Sequence, residues 1–225
     1  AMKRIAVLTS GGDSQGMNTA VRAVAKTAMK KGIEVYGVKR GYKGMLHDEI
    51  FKMSPLDVSG IADKGGTILL SARLPEFKDP AVRAAAASNL KKHGIEGLVV
   101  IGGDGSFHGA DLLYKEHGIK AIGLPGTIDN DIAGTDYTIG YDTAMNIILD
   151  AISRIKDTAT SHERTYLIEV MGRHCGDLAL YSAIAGGANG VLIPEIEFNI
   201  DDLANAIKTR RAQGKLSDII VVAEG

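Results

Sequence analysis

The chain has 225 residues, 45% of them hydrophobic, with a formal net charge of −1 and a single cysteine, Cys175. That length buries a substantial core as one large domain or two modest ones, and the near-neutral charge offers no basic surplus to recommend nucleic acid or an acidic membrane surface as partner. No apolar run approaches a membrane span, the N-terminus enters a strand directly rather than a signal peptide, and a lone cysteine excludes an internal disulfide framework, so a reducing cytoplasm is the expected location.

In chain order, Ile5-Ala6-Val7-Leu8 reads as a buried strand running into Thr9-Ser10-Gly11-Gly12-Asp13-Ser14-Gln15-Gly16. Met17 to Lys31 then predicts an amphipathic helix, with Val21, Val24 and Ala28 on one face and Gly32 as its stop. Backbone N–H groups of Gly11 and Gly12 can hold a terminal phosphate without a lysine. Glu34 to Val38 predicts a second strand, and Pro80 to His93 a helix. Gly97-Leu98-Val99-Val100 is short and β-branched enough for a buried parallel strand, and it leads into Ile101-Gly102-Gly103-Asp104-Gly105-Ser106 and a helix from about Ser106 to His117. Glycines there remove side chains where backbone must approach phosphate oxygens, the helix start adds the positive end of its dipole, and Asp104 offers the hard oxygen that Mg²⁺ requires. A plain strand-to-helix turn with a surface aspartate is the alternative reading.

A further short strand, Ala121 to Leu124, precedes Pro125-Gly126-Thr127-Ile128-Asp129-Asn130-Asp131. Asp129 and Asp131 are two apart, so in an extended loop both project from one side, and a carboxylate so held can take a hydroxyl's proton as it attacks phosphorus. An Asp/Asn-rich turn capped by its own side chains is the competing reading. Downstream, helices are predicted at Tyr141 to Thr158, Gly176 to Ala188 and Asp201 to Gln213, and strands at Thr165 to Val170, Gly190 to Ile193 and Asp218 to Ala223. The alternation predicts an α/β fold with a largely parallel sheet covered on both faces. Three Gly/Asp motifs at the carboxyl ends of parallel strands converge where open α/β sheets bind ligands. They suit a metal-phosphate cradle facing a carboxylate base.

With Ser71-Ala72-Arg73-Leu74-Pro75-Glu76-Phe77, Asp157-Thr158-Ala159-Thr160-Ser161-His162-Glu163-Arg164, Met171-Gly172-Arg173-His174-Cys175-Gly176-Asp177 and Val221-Val222-Ala223-Glu224-Gly225, the motifs from Met2 to Gly225 resemble, in order, those of the bacterial ATP-dependent 6-phosphofructokinases. The resemblance implies two similar Rossmann-like α/β domains with the active site in the cleft between them: 1–140 for ATP and 141–225 for fructose 6-phosphate. Members of the family continue for roughly another third of a chain, the size of a small extra domain. The second domain is therefore expected to be incomplete.

The resemblance also implies roles. Gly12 supplies backbone to the γ-phosphate; Asp104 is the Mg²⁺ ligand; Gly103, Gly105, Ser106 and Gly109 shape the phosphate and ribose site; Tyr42, Arg73 and Leu74 stand where the family contacts the nucleotide, Leu74 replacing a common aromatic. Asp129 is the implied general base on the sugar's 1-hydroxyl, with Thr127 and Asp131 orienting sugar and phosphoryl group, and Arg73 and Arg173 belong with Asp129 and Thr127 to the implied catalytic set. Arg173 would neutralise the charge on the transferring group. Met171, Gly172 and Glu224 would contact the sugar, and Arg164 would reach the 6-phosphate of a neighbouring subunit, which implies a homotetramer. Gly105 and Gly126 resemble the ATP-using branch rather than its pyrophosphate-using relatives, which carry Asp and Lys there.

Taken locally, Arg73 and Arg164 read as solvated surface arginines, Met171 as core filler and Glu224 as a strand-end carboxylate. His162 and His174 lack any zinc-type spacing. At the family's ADP and phosphoenolpyruvate effector site Arg22 remains, but Lys26 and Lys156 replace arginines, Pro55 replaces another, Asn189 replaces an acidic residue, and Leu216 follows Lys215 where a second lysine is usual. Lysine does not reproduce bidentate phosphate binding, so weakened or altered allostery is expected. Gln15 stands where proline is usual. Two other readings stay open: a non-catalytic nucleotide or sugar-phosphate binding fragment, and a different Gly-Gly-Asp-Gly kinase acting on NAD or lipid, against which the Thr127 to Asp131 run and Arg173 argue.

Overall fold

Apolar runs whose alternate residues face opposite ways are the frame of the computed structural model, which describes residues 2–225. The chain forms two compact units, one ending at Thr127 and the other spanning Ile128–Gly225. The division thus falls earlier than the expected boundary at Gly140.

In the first unit, β1 (Arg4–Thr9), β2 (Glu34–Val38), β3 (Ile50–Lys52), β4 (Gly97–Gly102) and β5 (Lys120–Thr127) lie in the order β3-β2-β1-β4-β5. All neighbours are parallel except β3, which runs antiparallel to β2. On β1 and β4, Val7 and Ile101 pack with Met17, Val21 and Ala25 of α1 (Met17–Lys30). Their alternates Ala6, Leu8, Leu98 and Val100 pack instead with Ala86, Ala87 and Leu90 of α3 (Pro80–Lys92) and with Ala110 and Leu113 of α4 (Asp104–His117). Helices on both faces explain why these strands are apolar throughout. Asp79 caps α3 by accepting from the Ala81 N–H at 2.8 Å, with Pro80 in the first turn, and Gly118 ends α4 in the left-handed region at φ 69°. Both are preferred helix-end chemistry.

Several features of this unit depart from the reading of the sequence. The helix α2 (Gly41–Leu46) and the short β3 were not expected; α2 lies where a Cβ on Gly44 would sit 1.6 Å from the Lys39 carbonyl, so the turn closes only on glycine. A 3-10 turn covers Pro75–Lys78. Strand β5 continues through Pro125, which pairs with Gly102, to Thr127, so residues expected in a loop are strand.

The second unit contains a two-residue strand β6 (Ile139–Gly140), then α5 (Tyr141–Ser161), β7 (Thr165–Val170), α6 (Asp177–Ala185), β8 (Gly190–Leu192), α7 (Ile200–Ala212) and β9 (Asp218–Ala223). The parallel sheet runs β7-β9-β8. Val170, Ile219, Val221 and Ala223 pack against Ile152, Ala159, Ala179 and Ala183 of α5 and α6. Helix α7 starts one residue before the expected Asp201, because Asn199 is its cap, accepting from the Asp201 N–H at 2.8 Å. Asp201 and Asp202 still occupy the first turn, where the helix dipole favours them. Among the described residues no helix is long and apolar enough to cross a membrane.

Candidate functional site

In the first unit the loops after β1 and β4 are pinned to each other. The Ser10 N–H donates to the Ile101 carbonyl at 2.9 Å, and the Ser106 hydroxyl donates to that of Ser10 at the same distance. A Cβ on Gly102 would lie 2.7 Å from the Ser10 carbonyl, so only glycine permits this approach. Gly11 is left-handed at φ 83°, and its carbonyl accepts from the Ser71 hydroxyl. Around Gly12, Gly103 and Gly105 no atom lies within 4 Å of where a Cβ would stand, so their backbone borders open space. Gly103 precedes α4 with no side chain capping the helix, and Asp104 is its first residue and is exposed. Helix α4 therefore begins before the expected Ser106, with the exposed Asp104 in its first turn.

Behind that turn, Tyr42 is 6% exposed and stacks on Phe77 with ring centroids 4.1 Å apart. Its hydroxyl donates to the Ser106 carbonyl, and burial raises the phenol above its ordinary range. A Cβ on Gly109 would come within 3.1 Å of both rings, so that glycine lets α4 seat against them. Tyr42 thus braces the α4 N-terminus from its buried position. Tyr42→Phe should destabilise the chain by about 1 kcal/mol, the usual worth of such a hydrogen bond, as read from urea denaturation. Leu74 is half-buried against this core and precedes the 3-10 turn, while Arg73 is exposed. Thr127 is half-buried at the end of β5, and Gly126 before it is confined by Ile101, whose Cγ2 would meet a Cβ at 2.9 Å.

Sequence reasoning missed the support of this brace. The Arg83 side chain is 4% exposed; it donates from Nε and Nη2 to the Glu116 carboxylate at 2.7 and 2.5 Å, and from Nη1 to the Phe77 carbonyl at 2.7 Å. The pair with Glu116 holds the arginine above and the carboxylate below their ordinary pKa ranges. A signal was present: Arg83 shares the helical phase of Ala86, Ala87 and Leu90, an arginine on the buried face of α3.

In the second unit Arg173 Nε lies 3.9 Å from Asp129 Oδ2, the carboxylate side chain 13% and the guanidinium side chain 60% exposed. Arg173 is itself left-handed at φ 53°, following Gly172 at φ 137°, where a Cβ would collide with the Cys175 carbonyl at 2.6 Å. Its N–H donates to Glu224 Oε1 at 2.8 Å, and the Glu224 N–H donates to the Val170 carbonyl at 3.0 Å. Thus Glu224, at the end of β9, fixes the backbone of the Arg173 loop after the parallel strand β7. Burial raises the thiol of Cys175, leaving little reactive thiolate. Met171 is 60% exposed rather than core filler, and Asp131 is exposed. Asn130, also left-handed at φ 53°, binds Asp136, Thr138 and Asp177. Arg164 is not brought to this cluster. It precedes β7 whereas Met171 follows it, and six strand residues span roughly 20 Å.

Of the expected effector residues, Arg22 donates to the Val58 carbonyl at 2.6 Å and shares a face of α1 with the exposed Lys26. Lys156 donates to the Gly186 carbonyl, Asn189 Oδ1 accepts from the Ile219 N–H at 2.9 Å, and Lys215 is exposed. Arg22, Lys156 and Asn189 are thus engaged with backbone groups of their own chain.

Parallel sheets with glycine and aspartate loops at their carboxyl ends define an α/β protein of the class that holds phosphorylated ligands at strand ends. The family described as Phosphofructokinase matches residues 4–225, and the chain belongs to that family. It is 65% identical over 223 residues to the ATP-dependent 6-phosphofructokinase of Fusobacterium nucleatum, covering 99% of this chain and 69% of that protein. It is 59% identical over 224 residues to ATP-dependent 6-phosphofructokinase 1 of Clostridium perfringens, covering 100% of this chain and 70% of that protein. The solved phosphofructokinase of Saccharomyces cerevisiae superposes with a TM-score of 0.91 at 42% identity, over 99% of this chain and 34% of the yeast chain.

Proposed function

We propose that this chain acts as an ATP-dependent 6-phosphofructokinase, transferring the γ-phosphoryl group of ATP to the 1-hydroxyl of fructose 6-phosphate to give ADP and fructose 1,6-bisphosphate. The observation that carries the reading is the Asp129 carboxylate, 13% exposed, with the Arg173 guanidinium 3.9 Å away. A sheltered carboxylate is a base for a sugar hydroxyl, and a cation beside it meets the negative charge of the group being transferred. As the hydroxyl oxygen forms its bond to the γ-phosphorus and the bridging P–O bond to ADP breaks, the hydroxyl proton passes to Asp129. Thr127 and Asp131 orient sugar and phosphoryl group, Gly12 offers backbone N–H to the γ-phosphate, and Met171, Gly172 and Glu224 line the sugar site.

Among the described residues no cluster of three His, Cys, Asp or Glu side chains can hold a metal ion. One exposed carboxylate at a helix start, Asp104, nevertheless suits Mg²⁺, which takes one or two carboxylates and completes its shell with phosphate oxygens and water. When bound, Mg²⁺ supplies positive charge to the phosphate oxygens. Gly103, Gly105, Ser106 and Gly109 shape the ATP site, with Arg73 and Leu74 beside it. A cytoplasmic location, a homotetramer in which Arg164 serves a neighbouring subunit, and an altered effector response belong to the same reading. The separation of Arg164 from Met171, at opposite ends of β7, supports the second of these. The internal hydrogen bonds of Arg22, Lys156 and Asn189 support the third.

Donor choice provides the test. Because nothing lies within 4 Å of a Cβ at Gly105, Gly105→Asp costs the fold little, and its carboxylate occupies the space proposed for the nucleotide. The variant should raise the KM for ATP by about tenfold or more, near 1.4 kcal/mol, with an unchanged melting temperature. An unchanged KM for ATP contradicts the placement of the nucleotide.

A further inference from the structure

We infer that Asn130 is a positioning residue that sets the distance between Asp129 and Arg173 through Asp177; the inference rests on the phosphofructokinase reading above. The Asn130 amide is fully occupied within its own unit. Nδ2 donates to Asp177 Oδ2 at 3.0 Å and to the Asp136 carbonyl at 3.3 Å, while Oδ1 accepts from the Thr138 N–H at 3.0 Å and the Thr138 hydroxyl at 3.4 Å. A carboxamide has two donor hydrogens and two acceptor lone pairs, so none is left for a ligand. Asn130 therefore acts through its neighbours rather than on the substrate.

Its bonds join the two segments that carry the chemistry. Asn130 follows Asp129 directly, and its left-handed backbone, which asparagine tolerates better than most residues, sets the direction in which the carboxylate leaves the turn. The bonds to Asp136 and Thr138 close the 130–138 loop on itself, with Thr138 4% exposed. The bond to Asp177 ties that loop to the first residue of α6, immediately after the Arg173 to Gly176 segment. Asp177 is held in turn: it lies in the first turn of α6, and the Tyr141 hydroxyl donates to its carbonyl at 3.5 Å. The amide–carboxylate bond from Asn130 to Asp177 thus links the Asp129 turn to the segment that carries Arg173. Displacing reacting groups by about 1 Å costs on the order of 10²-fold in rate, so this bond bears on kcat.

The test is a double-variant cycle on this chain with ATP-Mg²⁺ and fructose 6-phosphate, scored on kcat, both KM values and the pH profile. Asn130→Asp faces two carboxylates across a hydrogen-bond distance. It should lower kcat by about 10²-fold at pH 8 with little change in the KM for ATP. The deficit should shrink toward lower pH, where a proton shared between the like charges restores the bond. Adding Asp177→Asn reverses donor and acceptor and should return kcat to within about fivefold of wild type, a coupling characteristic of directly bonded residues. Asn130→Asp within about twofold of wild type, or a double variant no faster than the product of the singles, overturns the proposal. A second readout does not depend on turnover: Asn130→Gly keeps the left-handed backbone but deletes the amide, and should speed amide exchange across residues 129–138. Unchanged exchange also overturns the proposal. A wild-type chain that transfers no phosphate contradicts the phosphofructokinase reading alone, and the exchange measurement then decides whether Asn130 holds the loop.

Discussion

Asp129→Ser should lower kcat for phosphoryl transfer to fructose 6-phosphate by about 10²–10⁴-fold, the usual contribution of a positioned general base. The carboxylate is 13% exposed and stands 3.9 Å from a guanidinium, so it is held near a cation while partly shielded from water. Serine fits the space but cannot accept the hydroxyl proton at neutral pH. The KM for ATP should move little, because the nucleotide is assigned to the glycine loops of the first unit rather than to the 128–225 unit. Steady-state kinetics with each substrate varied in turn separates the effects. A wild-type kcat in this variant removes Asp129 from the chemistry.

Arg173→Met should lower kcat by about 10²–10³-fold, the range found when one preorganised donor to transition-state charge is removed. Methionine keeps an unbranched side chain, and the backbone N–H that donates to Glu224 at 2.8 Å stays in place. Loop distortion is therefore minimised, and the missing guanidinium accounts for the loss. Arg173→Lys should recover only part of the rate, since an ammonium is a point charge without the fork geometry. Equal rates for wild type and Arg173→Met would show that no charge is stabilised there.

How far the sequence carried the reading follows from local against distant causes. The strands at Glu34 to Val38, Thr165 to Val170 and Asp218 to Ala223 were legible to the residue, because runs of β-branched and aliphatic residues form them whatever their neighbours. Helix α2 and β3 were not, because six- and three-residue elements carry too little periodicity, and α2 depends on a glycine fitted against Lys39. Strand β5 ran past its apolar segment because Pro125 takes its place opposite Gly102 in the ladder with β4.

The same distinction holds at the site. The junction at Gly103 and Asp104 was legible because the glycine turn is contiguous with its strand and helix. The Arg83–Glu116 pair and the link from Arg173 to Glu224 join residues 33 and 51 positions apart, so neither pairing is legible locally, although Arg83 alone stands out on the buried face of α3. In the Asp129-Asn130-Asp131 run, Asn130 closes the turn through its own side chain, as the turn reading expected, and Asp129 lies 3.9 Å from Arg173.

The most direct measurement is phosphorus NMR of wild-type chain incubated with ATP-Mg²⁺ and fructose 6-phosphate, with Asp129→Ser as control. A growing 1-phosphate resonance of fructose 1,6-bisphosphate, matched by equal ADP and nearly absent in the control, is the predicted result. No new sugar phosphate, or equal formation by wild type and Asp129→Ser, would contradict the assignment.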